Sequence, residues 1–369
     1  MIIKCIEIFH VRLPLKFEFK TAQTIMDHRE TLIIKIHDAF GHVGFGEIVA
    51  FNDPFYTEET IEIAKRISTE TILPQLMGMR IEHPFEIHSL FDNKYPMTVA
   101  GFENALLDLY SKRKKQFILD LVFQEEMSSE IASGIAIGDG DIDSTIKKMN
   151  EYHWNGHSRF KIKISPLNGF EKMKAIREAF PDMTLLVDAN RSYGIDDINE
   201  LRKFDALDLA CIEEPLRKSD FQFLPELQRQ MKTPVCLDES ILSMDDLENA
   251  IKLKAFKVLN IKIGRVGGLF YAKQMIEMCR EHDIKFWIGS MLESGISKIL
   301  HVYLSSLKDV YIPGDLSASE RYFDHDLIRP DIKVVDGKIR VRKGVGLGVE
   351  VDEMRLVSQT IDYHQVDLR

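Results

Sequence analysis

Apolar and polar residues alternate over Lys4–Leu13 and again over Thr31–Ile36, the period of half-buried strands. Gly41-His-Val-Gly-Phe-Gly46 follows as a glycine-rich turn region. Thr57-Glu-Glu-Thr60 offers capping residues for a helix, and Val99–Lys114 sets Ala100, Ala105, Leu106 and Leu109 at helical spacing. The pattern weakens over Phe117–Ser129. From Glu130 onward short β-branched runs recur, each followed by an amphipathic stretch: Ile131–Ile137, Phe160–Ile164, Thr184–Ala189, Leu209–Ile212, Val235–Leu237, Lys257–Ile263, Phe286–Ile288 and Val310–Ile312. Runs this apolar suit parallel strands buried on both faces. Eight strand–helix units predict a (β/α)8-type barrel, with chemistry at the C-terminal strand ends. The expected organisation is an α+β capping domain over 1–125, the barrel over 126–343, and a tail over 344–369 that packs back on the cap.

Charge and composition narrow the function classes. The 48 basic and 58 acidic residues leave a formal charge of −10, which advertises no basic face for nucleic acid or an anionic membrane. No apolar run approaches the roughly 18 residues of a membrane span. Met1–His10 alternates and carries charge, so it reads as a strand and not as a signal peptide. Cys5, Cys211, Cys236 and Cys279 are too widely spaced for a disulfide framework or a zinc ribbon, and a reducing cytoplasm is the natural setting. An anionic substrate must therefore meet local cations, either lysines or a bound metal.

The strongest chemical signal is positional. Lys163, Asp188, Glu213, Asp238 and Lys262 each end a candidate strand, at separations of 25, 25, 25 and 24 residues. That is about the length of one compact βα unit, so each unit contributes one ionisable group to a common mouth. Any one acid could simply cap the helix that follows it. Three in register, flanked by lysines, are better explained by a divalent cation that lets converging carboxylates stay charged. Oxygen-only ligation fits Mg2+ better than zinc, with Mn2+ as a substitute.

Lys161-Ile-Lys163 puts two ammonium groups on one strand face, which in a barrel interior must point at the polar mouth. Lys262, desolvated near Arg265, is expected to have a lowered pKa and to act as a base. Two lysines facing across a metal-bound carboxylate suit removal of the α-proton, the metal carrying the charge of the enediolate. Gly264-Arg-Val-Gly-Gly268 lacks the P-loop and dinucleotide patterns and reads as a tight barrel loop. His282-Asp283 and His325-Asp326 read as surface positions.

Taken in order, these stretches resemble the enolase superfamily, muconate lactonising enzyme subgroup, and within it the o-succinylbenzoate synthase / N-acylamino acid racemase family. The resemblance rests on Lys161-Ile-Lys163, Val187-Asp-Ala-Asn190, Ile212-Glu-Glu-Pro215, Leu237-Asp-Glu-Ser240, Asn260–Gly268, Gly289–Gly295 and Pro313–Ser319, with Leu13–Thr21 near the start. It implies Mg2+ ligation by Asp188, Glu213 and Asp238, and an acid/base pair of Lys163 and Lys262. Lys161 and Asn190 would lie near the substrate carboxylate, with Ser133, Ser290 and Met291 as further substrate contacts. Ser290 departs from the family's Gly-Gly-Met, which bears on pocket width. Thr21–Arg29 corresponds to a mobile capping loop but lacks the family's glycine.

Absences choose among subgroups. Phe286-Trp-Ile-Gly-Ser290 carries no histidine of the mandelate-racemase kind, and Asp315-Leu-Ser317 lacks the Asp-x-Asp of dipeptide epimerases. The resemblance then implies Mg2+-dependent syn dehydration to o-succinylbenzoate in menaquinone synthesis. Racemisation of N-succinyl or N-acyl amino acids at the same two lysines is the alternative, and the partner in either case is a small carboxylate. A barrel kept only for binding is a remote third reading, opposed by the intact set of five ionisable groups. A homo-oligomer is compatible with all three.

Overall fold

The computed structural model describes residues 1–20, 25–138 and 140–368. β1 (Ile3–Lys20), β2 (Ile25–Asp38) and β3 (Val43–Ile48) form an antiparallel sheet, and the C-terminal strand Thr360–Asp367 adds to the free side of β1. Alternation explains why both faces of this sheet are covered. Leu32, Ile34 and Ile36 turn toward the cap's own helices, and Ile33 turns toward the barrel-side core. The glycine-rich stretch is only partly a turn: Gly44 and Gly46 lie inside β3. A Cβ there would stand 2.1 Å from the Ala105 and Gly101 carbonyls, so glycine lets the helix Pro96–Lys114 sit directly on the strand. The first helix spans Ile61–Ile67, capped by the Thr60 hydroxyl.

The barrel sheet holds seven parallel strands in sequence order: β5 (Ile135–Ile137), β6 (Arg159–Lys163), β7 (Thr184–Asp188), β8 (Ile212–Glu213), β9 (Val235–Leu237), β10 (Val258–Ile261) and β11 (Lys285–Ile288). Two expectations need correction. The run Ile131–Ile137 is broken at Ser133-Gly134: its first part, β4 (Glu130–Ala132), pairs antiparallel with Lys338–Arg340 outside the barrel. Val310–Ile312 is not a strand. Its segment nevertheless closes the ring, since Tyr311 N–H donates to Phe286 O at 2.8 Å and Gly134 N–H to Gly314 O at 2.9 Å. Pro313 has no N–H to donate, which interrupts a ladder here. Leu186, Cys211, Cys236, Val258, Trp287 and Ile312 fill the interior, so the barrel is a packed core and not a pore.

Two further corrections concern the junction of cap and barrel. The Gly264–Gly268 segment is not a simple loop: Ile263–Val266 forms a helical turn ended by Gly267 and Gly268 at φ 101° and 114°. Glycine there admits Glu103 of the cap, whose carboxylate accepts from Leu269 N–H at 2.6 Å and Phe270 N–H at 3.3 Å and caps the helix Leu269–Glu281. Asp326 is buried, not on the surface. Its Oδ1 accepts from Gly295 N–H at 2.7 Å at the start of the helix Gly295–Leu304. No described helix is long and apolar enough to cross a membrane.

Candidate active site

Parallel register brings the first two acids together, and Asp238 joins them from just beyond β9. Lys163 pairs with Asp188 across β6–β7, and Asp188 pairs with Glu213 across β7–β8. Asp238 follows β9 directly and Lys262 follows β10. Arg159, Lys161 and Lys163 share one face of β6 because side chains alternate with period two. The mouth above them is a cavity of about 180 Å3, lined by Lys161, Lys163, Asp188, Asn190, Asp238, Lys262, Ser290 and Met291 among others. Glu213 lies beneath it, fully buried, accepting from Asn260 Nδ2 at 3.0 Å and Lys161 Nζ at 3.1 Å.

Each acid meets at least one cation, with Lys161 shared among Asp188, Glu213 and Asp315. Lys163 Nζ donates to Asp188 Oδ2 at 2.6 Å and to Asn190 Oδ1 at 2.5 Å. Lys262 Nζ donates to Asp238 Oδ2 at 2.7 Å, and Arg265 donates to Asp238 Oδ1. Lys161 reaches Asp315 Oδ2 at 2.7 Å, and Arg159 meets the other oxygen of Asp315. Burial would raise Asp188, but Lys163 and Lys161 hold its carboxyl down to about 2. Burial pushes Glu213 up; Lys161 opposes this and Asp188 adds to it. Burial and neighbouring Glu214 push Glu239 up to about 7.

The expectation that Lys262 is depressed is overturned. Burial alone would lower it, but the Tyr56 oxygen and the Glu239 and Glu213 carboxylates override that and hold it above the ordinary lysine value. The sequence showed Arg265 as a neighbouring cation. It did not show that Arg265 spends its charge on Asp238.

The second acid of Glu213-Glu214 has a different task. Glu214 Oε1 accepts from Asp238 N–H at 2.8 Å and Ser240 N–H at 2.7 Å, which sets the loop after β9. Ser133 is not brought to the cavity: its hydroxyl donates to Leu316 O, and its carbonyl accepts from His157. The side chain is turned away because Gly134 must reach Gly314 to close the barrel. Ser290 does line the cavity, with Oγ 3.3 Å from Glu293 Oε2. Of Thr21–Arg29, residues 21–24 lie outside the described residues, and the remainder starts β2. Arg29 there is buried and donates to the carbonyls of Glu30, Val49 and Ala50.

Sequence reasoning missed Tyr56, which comes from the cap. Its hydroxyl accepts from Lys262 Nζ at 3.1 Å and donates to Asp238 Oδ1 at 3.1 Å. It also missed Arg159, although the alternation that paired Lys161 with Lys163 extends back to it. The cluster of ligating atoms found within 4.8 Å of one another among the described residues is Cys5, Glu7 and His37, on the cap sheet. It stands apart from the cavity, and Lys35 already lies 3.5 Å from Glu7.

The family of enolase C-terminal domain-like proteins matches residues 145–355. The chain belongs to it. Its enolase-superfamily relatives include the o-succinylbenzoate synthase of Bacillus subtilis (strain 168), 40% identical over 353 residues and covering 95% of each chain. The N-succinylamino acid racemase of Thermus thermophilus is 32% identical over 354 residues, again 95% of each chain. A solved enolase-superfamily member from Listeria innocua superposes with a TM-score of 0.95 at 33% identity, covering 100% of both chains. The expected superfamily and fold class are therefore met.

Proposed function

We propose that the protein dehydrates 2-succinyl-6-hydroxy-2,4-cyclohexadiene-1-carboxylate to o-succinylbenzoate, a hydro-lyase reaction of menaquinone biosynthesis in the cytoplasm. The observation that carries this reading is the pair of ammonium groups, Lys163 on Asp188 and Lys262 on Asp238, set on separate strands around three buried acids. The donor set fits a divalent cation: Asp188, Glu213 and Asp238 offer hard oxygen ligands, and burial disfavours Glu213 as an isolated anion. Mg2+, or Mn2+ in its place, would be held by these three and would neutralise charge developing on the substrate carboxylate.

The remaining work falls to the chain itself. Lys163 takes the proton from C1, and the electrons of that C–H bond pass toward the carboxylate to give an enediolate. The same ammonium returns the proton to the hydroxyl leaving from C6, so water departs from the face from which the proton was taken. Lys262 stays protonated and holds positive charge against the opposite side of the enediolate. Lys161, fixed by Asp315 and Glu213, adds a permanent cation beside the carboxylate.

A racemase activity on N-succinyl amino acids is the second reading, favoured by the near-equal ion pairs of Lys163 and Lys262, at 2.6 and 2.7 Å. The test is direct: the Mg2+-loaded protein is given the cyclohexadiene substrate and, separately, N-succinyl amino acids in D2O. Dehydration that outpaces racemisation supports the first reading. Racemisation without dehydration replaces it.

A further inference from the structure

Among the described residues, five cationic side chains line the cavity: Lys161, Lys163, Arg191, Lys262 and Arg321. Four of them are already matched to a carboxylate. Lys161 lies 2.7 Å from Asp315, Lys163 2.6 Å from Asp188, Arg191 3.2 Å from Glu214 and Lys262 2.7 Å from Asp238. Arg321 differs. Its Nη2 donates to the carbonyl of Ala136 at 2.9 Å, its Nε is buried with no acceptor, and no described carboxylate pairs with it.

The side chain is nevertheless held in place. Its guanidinium carbon lies 5.0 Å from the Tyr152 ring centre and 5.1 Å from that of Tyr322, so it is stacked and not free to swing. β5 fixes its tip through Ala136, itself a cavity residue. A guanidinium that is positioned, partly desolvated and lacking a counter-ion is a ready receptor for a planar anion.

We infer that Arg321 binds the distal carboxylate of a succinyl group, an inference that rests on the proposed reaction. A succinyl substrate carries two carboxylates. One must sit among the acids and lysines where the proton is removed, and among the described residues that region has no cation left over for the second. Arg321 supplies the missing positive charge, and it does so without touching the reacting atoms. It is therefore a specificity determinant that separates succinyl from uncharged acyl substrates.

The experiment measures binding by calorimetry on the Mg2+-loaded protein. The probes are o-succinylbenzoate and its analogue with the succinyl terminus converted to a primary amide. Wild type should prefer the acid by about tenfold to a hundredfold, the worth of a charge-assisted hydrogen bond. Arg321→Met should erase that preference while leaving affinity for the amide within about twofold, and Arg321→Lys should restore part of it. Preference retained in Arg321→Met overturns the inference. So does an equal loss of affinity for both compounds, which would make Arg321 a strap for Ala136 only. If wild type binds neither compound, the dehydration reading falls and the inference falls with it.

Discussion

The Tyr56 hydroxyl stands between Lys262 and Asp238, 3.1 Å from each, although Tyr56 belongs to the cap and the other two to the barrel. The cap thus completes the electrostatics of the site as well as covering it. Tyr56→Phe removes the hydrogen bonds from Lys262 and, at 3.4 Å, from Arg265, and the one to Asp238, without emptying volume. Turnover should fall about tenfold to a hundredfold, with the midpoint of thermal unfolding nearly unchanged. Steady-state kinetics beside a melting curve checks this; an unchanged kcat would make the contact incidental.

Replacing Asp188 or Asp238 by Asn, or Glu213 by Gln, should each lower kcat by more than about a hundredfold, since charge stabilisation of the enediolate is the main catalytic term. EDTA should abolish activity, and Mg2+ or Mn2+ should restore it in wild type but not in these variants. Asp188 and Asp238 also neutralise Lys163 and Lys262, so the apo forms of those two variants should unfold more easily, whereas Lys161 keeps Asp315 when Glu213 is replaced. Full turnover in a verified metal-free preparation would remove the metal from the mechanism.

Gly289 lies under Lys262: a Cβ there would stand 2.8 Å from Lys262 Cε and 2.3 Å from Asn260 Oδ1. Gly289→Ala should therefore displace the ammonium group from Asp238 and cut activity more than it cuts stability. Gly268→Ala tests the other junction. It combines a φ of 114° with a Cβ 2.3 Å from Glu103 Oε2, so it should cost about 1–3 kcal/mol of stability in denaturant titrations.

Much of this was legible because a parallel strand with its crossover has a narrow length. Regular spacing from Lys163 to Lys262 therefore forecasts one ring of side chains before any contact is known. What stayed hidden depends on long-range closure. Val310–Ile312 has strand composition, yet among the described residues it meets the neighbouring strand through the single bond from Tyr311 to Phe286, and the other side of the ring is joined beyond it at Gly314. Tyr56 sits in a segment without periodicity, and nothing local announces that it crosses to Lys262. The sign of the Lys262 shift was missed for a related reason: Arg265 was visible in sequence, but its own pairing to Asp238, and the acids around it, were not. Asp326 was misplaced because a hydrophilic His-Asp pair looks like surface unless the helix start it caps, at Gly295, is already in view.

The two lysines decide between dehydration and racemisation. Syn elimination needs one base on one face and a cation on the other. Racemisation needs both lysines to exchange protons, because each reaches only its own face of the planar enediolate. Lys163→Ala and Lys262→Ala should each abolish racemisation of an N-succinyl amino acid. Each variant should still exchange the α-proton of one enantiomer with deuterium, and the two should favour opposite enantiomers, read by NMR in D2O. For dehydration, Lys163→Ala should leave essentially nothing, having lost both the base and the acid. Lys262→Ala should be impaired by about a hundredfold or more through lost charge stabilisation alone. The Tyr56 oxygen and the Glu239 and Glu213 carboxylates, which raise Lys262 against the lowering effect of its burial, suit it to the electrostatic part. Substantial dehydration by Lys163→Ala with none by Lys262→Ala would reverse the two faces.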